Sequence, residues 1–108
     1  MLTTQIELPM EKIADFCRRW KIARLEIFGS VLRDDFRPDS DLDFLFTPGR
    51  DFQREKAYGP WGHDHMAEDL AALLGREVDL IERSRIEQMD NWIKRRHILQ
   101  TAAPIYVD

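Results

Sequence analysis

Three aspartates and a Gly-Ser pair are the residues of this chain best placed to do chemistry. Asp41 and Asp43 flank Leu42 at the start of an apolar run, Phe44-Leu45-Phe46. Side chains alternate across a strand, so the two carboxylates would share one face while Leu42 and Phe44 turn to the apolar side. Carboxylates held side by side repel, and both do not ionise cheaply. A divalent cation removes that penalty. A hard ion such as Mg²⁺ takes carboxylate oxygens and keeps room for phosphates. Upstream, Gly29-Ser30 closes another apolar run. A turn there, entering a helix, would present free backbone N–H groups to an anion. Gly29 would allow close backbone approach, and Ser30 would add a hydroxyl. Each signal alone is weak; joined across one strand–turn–strand unit they are far more specific. Asp79, between Val78 and Leu80, is the best third carboxylate. Its neighbours would point into a core, and it would face the surface of Asp41 and Asp43 if the strands pair. Two cations held by such a triad could align a nucleoside triphosphate with an attacking hydroxyl for in-line displacement. The third carboxylate could draw the hydroxyl's proton.

The elements that must position these residues follow from periodicity. Pro9 suits a helix start, and Ile13, Phe16, Cys17 and Trp20 recur at helical spacing, predicting a helix over about 8–20. Residues 22–28 read as a strand ended by Gly29, with Ser30 capping a short helix over roughly 31–35. Arg37-Pro38-Asp39-Ser40 is turn chemistry. A second strand covers about 41–46 and is broken by Thr47-Pro48-Gly49-Arg50. Residues 50–60 read as a loop. Met66, Ala67, Leu70, Ala71, Leu73 and Leu74 form the stripe of a helix over 61–74, capped by Gly75. Residues 77–81 are a third strand. Residues 84–101 read as one helix with Ile86, Met89, Trp92, Ile93 and Leu99 on its apolar side, and 104–107 as a last short strand. Short strands alternating with helices predict an α/β (α+β) fold, a small mixed sheet flanked by helices.

The chain has 108 residues, 44% apolar and 33% charged, with net charge −4. That fits one domain, 1–108, with a modest core. The absence of a basic footprint weighs against direct nucleic-acid binding. One cysteine, Cys17, excludes an intrachain disulfide and suits a reducing compartment. With no long apolar run and no secretory pattern, the expectation is a cytoplasmic protein without membrane association.

Gly29-Ser30, ten intervening residues and then Asp41-Leu42-Asp43 resembles the signature of the DNA polymerase β-like nucleotidyltransferases. Arg33, Asp35, Arg37-Pro38-Asp39-Ser40 and Phe44-Leu45-Phe46 resemble its minimal nucleotidyltransferase (MNT) branch, commonly the antitoxin half of HEPN–MNT toxin–antitoxin pairs. The resemblance implies a nucleotidyltransferase fold in which Gly29 and Ser30 hold the triphosphate. It implies that Asp41 and Asp43 bind two Mg²⁺ ions and Asp79 the catalytic one. ATP would be the donor, and AMP would pass to a tyrosine of a HEPN ribonuclease toxin, silencing it within a hetero-oligomer. Arg33 matches the motif arginine, with a phosphate contact or a salt bridge to the motif carboxylates as its two readings. Larger relatives carry a second domain for a small-molecule or tRNA acceptor; its absence here favours a protein acceptor. The alternatives are a non-catalytic antitoxin that occludes the toxin, and transfer to a small molecule.

Other candidates have plainer readings. Cys17 is a small buried residue rather than a nucleophile. Asp34, Asp35 and Asp39 are turn and cap residues. His63 and His65 mark a solvated helix start rather than a transition-metal site. Lys94-Arg95-Arg96-His97 complements the C-terminal dipole of its helix or meets an acidic partner. Of the three tryptophans, Trp61, beside Tyr58 and Pro60, is the one expected at the surface.

Overall fold

In a computed structural model, which describes residues 8–32 and 41–108, the chain folds around a four-stranded mixed sheet. Strands β1 (Ile22–Phe28), β2 (Leu42–Pro48), β3 (Val78–Glu82) and β4 (Ala103–Val107) lie in the order β3-β2-β1-β4. β1 is antiparallel to both β2 and β4, whereas β3 is parallel to β2. The helices are α1 (Met10–Trp20), α2 (Arg54–Ala57), α3 (His65–Leu74), α4 (Arg83–Glu87) and α5 (Trp92–Thr101). This is the expected mixed sheet flanked by helices.

Alternation along the strands gives the sheet two different faces. Leu25 and Ile27 of β1 and Leu42, Phe44 and Phe46 of β2 pack against Ile13, Phe16 and Cys17 of α1 and Met66 and Leu70 of α3. Phe28 and Leu45 pack the opposite way, against Ile86 of α4 and Ile98 of α5. Each fully buried side chain of this size contributes about 1.5–3 kcal/mol, so the first face, with the larger set, dominates stability. Cys17 belongs to that core and is fully buried; burial pushes its thiol up to about 12.

On the second face β1 carries one buried carboxylate, Glu26, only 2% exposed. Arg83 Nη1 donates to both its oxygens at 2.6 and 2.8 Å, and Arg24 Nε lies 3.5 Å from Oε1. The hydrogen bond to Glu26 holds the Arg83 pKa above its ordinary value and ties α4 to the middle of the sheet.

Several boundaries differ from the sequence expectations. The helix expected over 61–74 begins at His65, because the Asp64 carboxylate accepts from Ala67 N at 2.8 Å and caps it there. Trp61 lies outside it, 93% exposed, as its surface reading anticipated. The loop expected over 50–60 contains a single turn of helix, α2: Ala57 is buried, and Arg54 reaches Glu82 at 2.8 and 3.4 Å. β2 runs through Thr47-Pro48 instead of breaking there, since Pro48 sits opposite Ile22 at a register shift between Ile22 and Arg24 where the ladder is already interrupted.

The single helix expected over 84–101 is two helices. The Asn91 side chain accepts from Lys94 N at 3.1 Å and starts α5 afresh, while Arg95 Nη1 donates to Met89 O at 2.8 Å across the break. The apolar phase is reset, leaving Trp92 and Ile93 exposed and Ile98 buried. The short helix expected over 31–35 is a 3₁₀ turn, Gly29–Leu32, within the described residues. No helix among those residues is long and apolar enough to cross a membrane.

Two outcomes are expected. Arg83→Leu leaves Glu26 buried with a poor partner and lowers the unfolding free energy by about 2–4 kcal/mol in urea titration. Adding Glu26→Leu recovers most of that loss. At pH 8 Cys17 stays unreactive toward a thiol reagent in the native protein and reacts at once in denaturant.

Candidate active site

β2 places Asp43 on the second face, and its two neighbours bring the other functional residues to it. On one side Asp43 is the cross-strand partner of Phe28, the last residue of β1, so the 3₁₀ turn that follows begins directly beside it. On the other side the parallel ladder pairs Asp43 with Asp79 and Leu42 with Val78. Residues paired in register share a face, so both carboxylates project from the same side of the sheet. Leu42 N donates to Glu77 O at 3.1 Å, carrying the ladder one residue past Val78. Asp41 sits at the mouth of β2, two residues before Asp43. Asp43 is half-buried; Asp41 and Asp79 are exposed.

Gly29 fits this geometry for two separate reasons. Its φ is +85°, a left-handed conformation that side chains disfavour. A Cβ there would also overlap Asp43 Oδ2 and lie 3.3 Å from Asp43 Cγ. The turn thus packs backbone against carboxylate with nothing between them. Ser30 continues the turn. Arg33 lies outside the described residues, as do Asp34, Asp35 and Asp39.

A cavity of about 600 Å³ opens beside this junction. Gly29 and Asp43 line one wall, Phe28, Leu32 and Ile98 supply apolar surface, and Lys94 and His97 of α5 supply the basic side. Those two residues were missed by sequence reasoning. Their basic cluster was expected near the C-terminal end of a long helix, either complementing its dipole or meeting an acidic partner. The structure puts it in the first half of α5, where the dipole favours anions, so the dipole explanation fails. The signal that could have found it is Asp90-Asn91, an Asx pair able to restart a helix.

Register puts Asp43 and Asp79 on one face at one end of the sheet, and Asp41 lies just before β2. Elsewhere among the described residues, His63, His65 and Glu68 bring three ligating atoms close to one another. The aspartate donor set is all hard oxygen, which suits Mg²⁺ and not a thiophilic metal. Because Gly29 has no side chain, its backbone sits directly against the Asp43 carboxylate.

Comparison with known proteins places this arrangement. The family described as "Nucleotidyltransferase domain" matches residues 10–102. Among solved structures, the chain is similar to a protein assigned as a minimal nucleotidyltransferase, at 28% identity and TM-score 0.61, covering 88% of this chain and 87% of that one. It is similar to a toxin–antitoxin structure with AMP-PNP at 18% identity and TM-score 0.64, covering 94% and 75%. A Shewanella oneidensis complex of a tri-AMPylated HEPN toxin with an MNT antitoxin matches at 18% identity and TM-score 0.56, covering 92% and 70%. At such identity the last two establish the fold alone.

The two constraints on Gly29 can be separated by experiment. Gly75, the C-cap of α3, has a φ of +71° and nothing within 4 Å of a built Cβ. Gly75→Ala therefore costs only the left-handed penalty, about 1–2 kcal/mol in chemical denaturation. Gly29→Ala is expected to cost distinctly more, and equal losses would show that the Asp43 contact carries no strain.

Proposed function

We propose that this chain, which belongs to the nucleotidyltransferase domain family, is an Mg²⁺-dependent protein adenylyltransferase that moves AMP from ATP to a tyrosine hydroxyl of a cognate HEPN-type toxin. The observation that carries the reading is the junction of Gly29 with Asp43, itself in register with Asp79. Backbone turn, carboxylate and second carboxylate stand together as a phosphate-and-metal site requires. The nearby basic wall and apolar surface of the cavity give phosphates and an adenine ring complementary places to lie. The resemblance to an MNT antitoxin and to an AMP-PNP-bound toxin–antitoxin structure supports the choice of acceptor and donor.

In this reading Asp41 and Asp43 hold two Mg²⁺ ions and Asp79 shares the catalytic one. When bound, the ions neutralise phosphate charge and orient the attacking and leaving oxygens. The Gly29-Ser30 turn directs backbone N–H groups at the triphosphate. Lys94 and His97 close the other side of the cavity, where Lys94 steadies the departing phosphates as a positive charge. The tyrosine oxygen bonds to the α-phosphorus as the bond from that phosphorus to the α,β-bridging oxygen breaks. Pyrophosphate leaves, and the phenolic proton passes to the Asp79 carboxylate. Arg33 contacts a phosphate or the motif carboxylates. The acceptor enters on a partner chain, giving a hetero-oligomer.

Transfer of labelled AMP to the co-expressed toxin, with Mg²⁺, tests this directly. Asp41→Ala and Asp43→Ala should each lower transfer by on the order of 10²-fold or more while the thermal transition stays near wild type. Lys94→Ala should raise the KM for ATP about tenfold. If these aspartate variants still neutralise the toxin in cells, neutralisation is by occlusion and not by transfer.

A further inference from the structure

A second group of ligating side chains stands at the start of α3. His63 Nε2 lies 2.8 Å from Glu68 Oε2, and His65 Nδ1 lies 3.8 Å from Glu68 Oε1. The imidazoles meet edge to face at 4.8 Å between centroids, and the three donor atoms all fall within 4.8 Å of one another. From sequence, His63 and His65 read as a solvated helix start for want of a third ligand. The helix supplies it, because Glu68 sits one turn after His65 and projects back over the loop.

We infer that His63, His65 and Glu68 form a surface site for a borderline divalent transition metal such as Zn²⁺. Two imidazoles and one carboxylate are the donor set of an open tetrahedral zinc centre, which keeps its fourth position for water or another ligand. Bonds of about 2.0–2.2 Å place tetrahedral donors roughly 3.3–3.6 Å apart. The three donor atoms lie within 4.8 Å of one another, so side-chain rotations of about an ångström draw them to that spacing.

The backbone beneath is already organised. Gly59 N donates to His63 O at 2.8 Å, Gly62 N donates to Gly59 O at 3.1 Å, and Tyr58 bridges Asp64. A Cβ at Gly59 would lie 3.0 Å from His65 Nε2, so glycine there leaves the ring room to turn. Asp64 is engaged in capping Ala67 N and does not compete.

The site is separate from the nucleotidyl centre. Asp43 and Asp79 stand at the N-terminal ends of the parallel strands. α3 begins after the C-terminal end of β2 and runs back toward the start of β3, on the opposite face of the sheet. Rival soft ligands are few: His97 is the third histidine of the chain, and Cys17 is fully buried.

Calorimetric titration of the untagged protein with ZnCl₂ at pH 7.5 tests the site. One equivalent should bind saturably. Binding should weaken at least about tenfold in His63→Ala, His65→Ala or Glu68→Gln, and one-equivalent binding should vanish in the His63→Ala/His65→Ala double variant. His97→Ala should bind as wild type. Cobalt(II) in place of zinc should show visible absorption of tetrahedral intensity that the double variant lacks. The double variant should retain its thermal transition in the absence of metal, since all three side chains are exposed. Absence of saturable one-equivalent binding, its survival in the double variant, or its loss in His97→Ala would each overturn the assignment.

Discussion

The candidate site depends on β2 being paired on both sides at once, antiparallel to β1 and parallel to β3. Antiparallel pairing sets Phe28 opposite Asp43 and delivers the Gly29 turn to its carboxylate. Parallel pairing sets Asp79 beside it. A slip of one residue in either ladder would send Asp43 or Asp79 into the face lined by Leu42, Phe44 and Leu80. The register is held by the apolar residues, each of which would be expelled to solvent by the same slip. Core packing thus does the aligning, and the carboxylates, which repel one another, are carried along by it.

The two faces of the sheet divide the labour. The face covered by α1 and α3 is apolar throughout its centre and holds the larger core. The other face mixes a small apolar cluster with the Glu26–Arg83 pair and the end-of-strand aspartates. Such a face has little apolar area to spare, which explains why α4 is fastened partly by charge. Breaking that pair is costly because the carboxylate is buried, although the intact pair adds little beyond what well-packed apolar residues could supply.

The strands were legible because period-two alternation and glycine punctuation are local signals. The span of β1, the Gly75 cap and the burial of Cys17 follow from nearest neighbours in sequence, whereas the common face of Asp43 and Asp79 needed β2 and β3 to pair in register. The helical boundaries were less legible because they turn on single side-chain caps. Asp64 delays α3, and Asn91 splits what periodicity reads as one long helix. That split also hid Lys94 and His97. Their position beside Asp43 is a tertiary fact, settled by where the restarted helix lands, and no spacing rule connects residues 43 and 94. Glu68 escaped for a similar reason, since its meeting with His63 depends on a turn through Gly62 at positive φ.

The break before α5 matters beyond the placement of two cations. α5 has one buried side chain, Ile98, with Leu99 packed against the same cluster, and otherwise leans on its Asn91 cap and on Arg95 reaching across to Met89 O. A helix held so lightly belongs to the low-stability end of the molecule, able to tilt or fray without disturbing the sheet. Since α5 forms the outer wall of the cavity, its tilt sets how much room lies over Asp43. The room over Asp43 is therefore set by one lightly fastened helix, while Asp43 and Asp79 beneath it are held by paired strands.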